Sequence, residues 1–184
     1  MKIGLVRHFK VKKEYPKGSR YSAAEVAQWF REYDLADIEP GTTELGDTEW
    51  NRCLASDMAR ARRTAELIYE GTVHAKSELR EIPAPTFTTG LKLPFLAWAI
   101  LIRTSWLFNR QARQDIAEAK ERIKKVLDDA QSSDGDNVLI VSHAAMMIYM
   151  RKELVRRGFR GPKFKIPKNG VLHIYENEVN PANR

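Results

Sequence analysis

Cysteine is nearly absent: Cys53 stands alone among 184 residues. A lone cysteine cannot close an internal disulfide, and it excludes zinc sites built on paired thiolates. Long apolar runs are missing too. The longest, 93–102, falls well short of the ~20 residues that a bilayer-spanning helix needs. The opening MKIGLVRHFK is charged within a few residues, so it does not read as a secretion signal. We therefore expect a cytoplasmic chain with no transmembrane segment. Acidic residues are in deficit, with 24 Asp+Glu against 31 Lys+Arg, a formal charge of +7. That balance suits an anionic partner: a phosphorylated small molecule, a nucleic acid or an acidic membrane. The excess is local. Residues 151–168 hold eight Lys/Arg and one Glu, and the rest of the chain carries 23 basic and 23 acidic residues. With 43% hydrophobic residues the chain is too apolar for a disordered polymer. Its length suits one domain over 1–176, followed by a polar tail at 177–184.

Strand and helix patterns alternate along the chain. Residues 2–7 (KIGLVR), 52–56 (RCLAS), 74–79, 138–142 (VLIVS) and 171–175 (VLHIY) read as strands. Residues 22–33 read as a helix opened by a Ser22/Glu25 capping box, with Val26, Phe30 and Tyr33 on one face. Residues 58–69, 112–131 and 144–157 read as further helices. In the second of these, Ile116, Ala119, Ile123, Val126, Leu127 and Ala130 keep the 3.6-residue period. The wholly apolar 138–142 is the kind of strand found inside a parallel sheet. The expected fold is α/β: a three-layer α/β/α sandwich around a mostly parallel central sheet.

In such a sheet, ligands collect beyond the carboxyl ends of the strands. Arg7 and His8 stand at the first such end. Ser56 ends the second strand, with Arg60, Arg62 and Arg63 just beyond it. Glu81 follows the third, and His143 ends the fourth. Two histidines without carboxylate or thiolate companions make a poor metal site, and the arginines would repel a cation, so we expect neither metal nor cofactor. The same groups suit a phosphoryl group. Arg forks pair with phosphate oxygens, a neutral imidazole can attack phosphorus, and a carboxylic acid can protonate a leaving alkoxide. Singly, each residue has an ordinary structural reading, as His173 does; their convergence on one rim and one reaction sets them apart.

The residues also carry a family resemblance. Leu5-Val6-Arg7-His8 resembles the opening signature of the histidine phosphatase superfamily, the phosphoglycerate mutase-like proteins. The stretch from Ser56 through Arg60-Ala61 to Thr64-Ala65 resembles its second signature. Leu79-Arg80-Glu81 is similar to its acid motif, and Val141-Ser142-His143 to its last one. The resemblance implies a phosphohistidine mechanism without metal: His8 as nucleophile, Glu81 as proton donor, and Arg7, Arg60 and His143 on the phosphoryl oxygens. It leaves Arg62 and Arg63 pointing to solvent. Phe9 stands where family members usually have Gly, and a Phe there is expected to narrow or reshape the pocket floor.

Residues 90–110 (GLKLPFLAWAILIRTSWLFNR) hold two of the four Trp. They read as a helical lid over the substrate, as a homodimer or membrane-surface contact, or as ordinary packing. The lid reading points to a bulky or apolar leaving group. The leading function is a phosphatase acting on phosphomonoesters of small molecules. Alternatives are a mutase-like phosphotransferase, a phosphoprotein phosphatase, and a non-catalytic phosphate- or nucleic-acid-binding module using 151–168. The complete set of catalytic groups disfavours the last, and with it a nucleic-acid partner.

Overall fold

The computed structural model describes residues 1–132 and 135–177. Most of the expected polar tail, from residue 178 onward, lies outside the described residues. Strands β1 (Lys2–Arg7), β2 (Arg52–Ser56), β3 (Val73–Lys76), β4 (Val138–Ser142) and β5 (Leu172–Glu176) form one sheet in the order β3-β2-β4-β1-β5. The β1–β4, β2–β4 and β2–β3 pairs are parallel, and β5 pairs antiparallel with β1. Helices α1 (Ala23–Leu35), α2 (Ala59–Ile68), α3 (Phe95–Phe108), α4 (Arg110–Ala130) and α5 (Ala144–Arg156) complete the order.

Strand alternation sorts the core into two layers. Ile3 and Leu5 of β1, with Leu54, Val138 and Ile140, pack against α4 and α5 through Ile123, Leu127, Met146 and Met150. Val6, with Cys53, Ala55, Leu139 and Val141, packs against Ala61 and Ala65 of α2. Both faces of β4 are covered, and all five of its residues are buried. Truncating a core residue such as Leu127 to Ala typically costs about 2–5 kcal/mol. Gly4 lets the Trp50 indole lie flat on β1, since a Cβ there would sit 2.5 Å from its ring.

The expected strand at 74–79 divides in two. Its ladder with β2 ends at Ser56↔Lys76, and Ser77–Leu79 form a 3-10 turn. The turn tucks Leu79 into the core, where the Ser142 hydroxyl donates to the Leu79 carbonyl at 2.9 Å. Arg122 of α4 donates to the Glu78 and Arg80 carbonyls, each at 3.0 Å, so side chains replace the lost ladder partners. The α1 capping box is present as the sequence reads, with Ser22 and Glu25 bonded reciprocally.

The segment 90–110 forms α3, which begins just after Pro94 and meets α4 at Asn109, whose side chain caps the α4 amino end. An isolated antiparallel bridge, Tyr21 to Leu93, ties the entrance of α3 to the entrance of α1. The two amides exchange hydrogen bonds of 2.8 and 2.9 Å. No helix among the described residues is long and apolar enough to cross a membrane.

Candidate functional site

Parallel pairing brings the strand ends to one rim. The β1–β4 register places Arg7 beside Ser142, and the His8 amide extends the ladder by donating to the Ser142 carbonyl at 3.0 Å. His8 and His143, the next residue of each strand, thereby become neighbours with ring centroids 5.2 Å apart. Arg60 enters from the first turn of α2, just past the end of β2. Glu81 follows the turn after β3. Arg7, His8, Arg60 and Glu81 all line one cavity of about 740 Å³.

The His8 ring is oriented by its own backbone. Nδ1 lies 2.7 Å from the Phe9 carbonyl, which can only accept. Nδ1 therefore carries the hydrogen, and Nε2 keeps its lone pair. Burial, then the positive charge of Arg60, and to a lesser degree that of Arg7, hold the pKa down to about 3. The ring is neutral at any pH a cell maintains.

Arg60 is buried, with its side chain 4% exposed. Its Nη1 donates to the Asp34 carboxylate of α1 at 2.7 Å, and its guanidinium lies over the Tyr33 ring at 5.3 Å. Its Nε is buried without a partner, as is the Nε of Arg7. Two unsatisfied guanidinium donors beside a neutral imidazole suit an oxyanion. Arg62 and Arg63 face solvent, paired with Glu66 and Asp37.

Glu81 sits against the amino end of α5. Its carboxylate accepts from the amides of Ile82, Ala145 and Met146 at 3.0, 3.2 and 3.2 Å. Those amides favour the charged form, but burial outweighs them and raises the pKa above the usual carboxylate value. A carboxyl poised in this way can hold a proton longer than a solvated one.

His143 is fully buried and is not part of the cavity wall; it stands behind His8. Its Nε2 lies 2.9 Å from Ser56 Oγ, and its Nδ1 has no partner. Burial and the charge of Arg60 hold its pKa well below the usual histidine value.

The expected narrowing of the pocket floor by Phe9 does not occur. Phe9 points away from the cavity into a small cluster with Val11 and Ile38. Gly41 and Gly170 make room for its ring: a Cβ on Gly170 would lie 2.7 Å from it, and that residue has φ +68. The Phe9 amide donates to Thr64 Oγ1, whose hydroxyl donates to the Arg60 carbonyl. Thr64 thus locks the backbone beside His8 to the helix that carries Arg60.

The basic stretch 151–168 contributes nothing to the cavity wall. Arg157 is held by Glu153, Asp128 and Gln131, and Arg156 by Glu153. Among the described residues no three His, Cys, Asp or Glu side chains gather as a metal site.

Sequence reading passed over Asp34 and the aromatic wall of α1, and it named Thr64 only as part of a signature, without a role. Phe30 and Tyr33 fall on the face read as inward, yet only Val26 of that face is buried, and the two rings line the cavity. The cluster Trp29, Phe30 and Tyr33 was the available signal, because three aromatics within five positions exceed what one turn of core needs.

A family model for the histidine phosphatase superfamily, branch 1, matches residues 21–180. The chain belongs to that superfamily. The match takes in Arg60, Glu81 and His143. Arg7 and His8 precede it, and it is the parallel pairing of β1 with the central strand β4 that delivers them to the rim. The solved structures agree in fold. YhfR from Bacillus stearothermophilus is 16% identical, with a TM-score of 0.60 over 97% of this chain and 92% of that one. The alpha-ribazole phosphatase from Shigella flexneri is 15% identical, with 0.58 over 97% and 92%. The mycobacterial glucosyl-3-phosphoglycerate phosphatase is 14% identical, with 0.58 over 97% and 91%. No curated protein matches the chain in sequence.

Proposed function

We propose that this histidine phosphatase superfamily member hydrolyses phosphomonoesters of small molecules through a phosphohistidine on His8. One observation carries the reading. His8 is held neutral, with its Nδ1 hydrogen committed to the Phe9 carbonyl, beside the guanidiniums of Arg7 and Arg60, each of which has a buried Nε without a partner.

Nε2 attacks phosphorus, the N–P bond forms, and the ester P–O bond breaks. Glu81 gives its proton to the departing alkoxide, which leaves as the alcohol. Water then attacks the phosphohistidine, Glu81 takes back a proton, and His8 and inorganic phosphate are regenerated. Arg7 and Arg60 neutralise the phosphoryl oxygens throughout. His143, fully buried outside the cavity wall, with its ring 5.2 Å from that of His8 and its Nε2 on Ser56, is assigned the backing of the His8 ring in place of direct contact with those oxygens. Each role uses a side chain of this protein, and no step calls for a metal.

Turnover of p-nitrophenyl phosphate in EDTA, beside a His8→Ala variant, tests the proposal. Activity that disappears with His8, together with an acid-labile, base-stable phosphoprotein in the native enzyme, is the expected result. Turnover that survives His8→Ala would remove the mechanism, and its absence from the native protein would remove the enzyme.

A further inference from the structure

The charged groups of the cavity come mainly from the strand ends and α2, with Arg31 and Asp34 added by α1. Most of the remaining wall comes from α1, α3 and the segments beside them, and it is mainly ring and hydrocarbon. Tyr15, Trp29 and Phe30 form one side, and Phe95, Trp98 and Ile102 the other. Trp29 joins the two sides. It stacks on Tyr15 at 5.6 Å and on Tyr33 at 5.3 Å, and meets the edge of Phe95 at 5.0 Å.

The indole N–H groups of this wall are turned to other tasks, and the Tyr15 and Tyr33 hydroxyls are the remaining neutral polar groups of its rings. Trp29 Nε1 donates to the Glu14 carbonyl at 3.1 Å, and Trp98 Nε1 to the Tyr21 carbonyl at 2.7 Å. Arg80, also on the wall, grips both oxygens of Asp57 at 2.7 Å, and Arg31 holds Gln28. A sugar or glycerate body carries several hydroxyls and would find few open partners on these rings, so most of its hydroxyls would lose water without replacement. An apolar body would lose nothing polar and would gain aromatic contact. The cavity, about 740 Å³, far exceeds the space a phosphoryl group fills.

We propose that the alcohol released by this enzyme is an apolar body, an aryl group or alkyl chain, seated between α1 and α3 with its phosphate on Arg7 and Arg60. The proposal rests on the phosphatase reading above and names its substrate class. Such a substrate can come free from water or be held in a bilayer. The outer face of α3 exposes Leu96, Ile100, Leu107 and Phe108, so both sources belong in the test.

The test is a chain-length series. For methyl, butyl, hexyl and octyl phosphate, kcat/KM should rise by about fourfold per added methylene until the cavity is filled. Glucose 6-phosphate and 3-phosphoglycerate should fall near methyl phosphate. Affinity for the matching alkylphosphonates, read from tryptophan fluorescence, should climb in parallel. Ile102→Asn and Ala99→Asn, on the α3 wall, should flatten both series. Octyl phosphate in solution and phosphatidic acid in phosphatidylcholine vesicles separate the two sources, and a preference for either over the sugar phosphates supports the class. A flat phosphonate series, or sugar phosphates turned over as well as octyl phosphate, would overturn the inference and leave the phosphatase standing. Phosphonate affinity that climbs while no ester is hydrolysed would keep the apolar pocket and sink the phosphatase.

Discussion

The Asp34 carboxylate, on α1, holds the Nη1 of Arg60, on α2, at 2.7 Å. Arg60 is buried while Asp34 is about half exposed. The pair supplies the countercharge that a buried guanidinium needs when no phosphate is present. It also puts a negative charge beside the place where the proposed mechanism seats a phosphate dianion.

Replacing that carboxylate should expose both effects. Asp34→Asn should relieve on the order of 1 kcal/mol of repulsion, or roughly a fivefold fall in KM for a phosphoester. The ligand-free variant should melt below the native protein, and inorganic phosphate should recover most of the difference. Thermal shifts with and without phosphate decide the matter: equal stabilisation of both proteins would mean that Asp34 does not compete for Arg60.

Acid should weaken the fold through its buried histidines. In the unfolded chain, His8 takes up a proton below its ordinary value of 6.5, whereas in the folded chain it stays neutral down to about 3. The unfolded state then binds more protons, so this stability is complete above pH 6.5 and drains away as the pH falls toward 3. His143, also depressed by burial, adds in the same direction. Glu81, raised by burial, works oppositely from 4.5 upward. Urea unfolding at pH 7.5, 6.0 and 5.0 should show stability falling with acidity. His8→Gln should reduce that slope by up to about 1.4 kcal/mol per pH unit. An unchanged slope would mean that His8 titrates normally in the folded protein.

Glu81→Gln should separate leaving groups. An alkoxide needs a proton as it departs, and p-nitrophenolate scarcely does. The variant should lose about a hundredfold in kcat on an alkyl ester, and roughly tenfold or less on p-nitrophenyl phosphate. The alkaline limb of the alkyl-ester profile, set by the raised Glu81 pKa, should vanish with it. Equal losses on both esters would make Glu81 a structural cap of α5 and not an acid.

Phe9 should matter to the fold more than to the pocket. Phe9→Ala empties a cluster of buried side chains and should cost about 3 kcal/mol, with little change in KM. Gly170→Ala should also destabilise, since it asks an L side chain to adopt φ +68 against the Phe9 ring. Urea midpoints and KM for both variants check this. A large fall in KM for Phe9→Ala would show that the ring does intrude on substrate.

Much of this was legible in the chain, for physical reasons. The most apolar runs fell where strands form because burial on two faces leaves an unbroken apolar stretch, and the reading of 138–142 as an interior strand matches the wholly buried β4. The site residues were legible because strand ends place them at one rim, and the described cavity gathers Arg7, His8, Arg60 and Glu81. What stayed hidden depended on direction. Nothing in the neighbourhood of Phe9 says that its ring turns toward Gly41 and Gly170, which are distant in sequence. The Asp34–Arg60 contact joins two helices that only the sheet aligns. The end of β3 was misplaced because the turn at Ser77–Leu79 is held by Arg122, a long-range partner that local pattern cannot announce.

The Tyr21–Leu93 bridge gives the aromatic walls a mechanical character. α1 and α3 both begin within two residues of this one ladder rung, and Trp98 Nε1 clasps the same Tyr21 carbonyl from inside the cavity. The far ends are pinned as well: α1 through Asp34 to Arg60 of α2, and α3 through Asn109, which caps α4. The two aromatic walls are thus a frame braced at both ends, and the brace on α1 is the same arginine that faces the cavity beside His8.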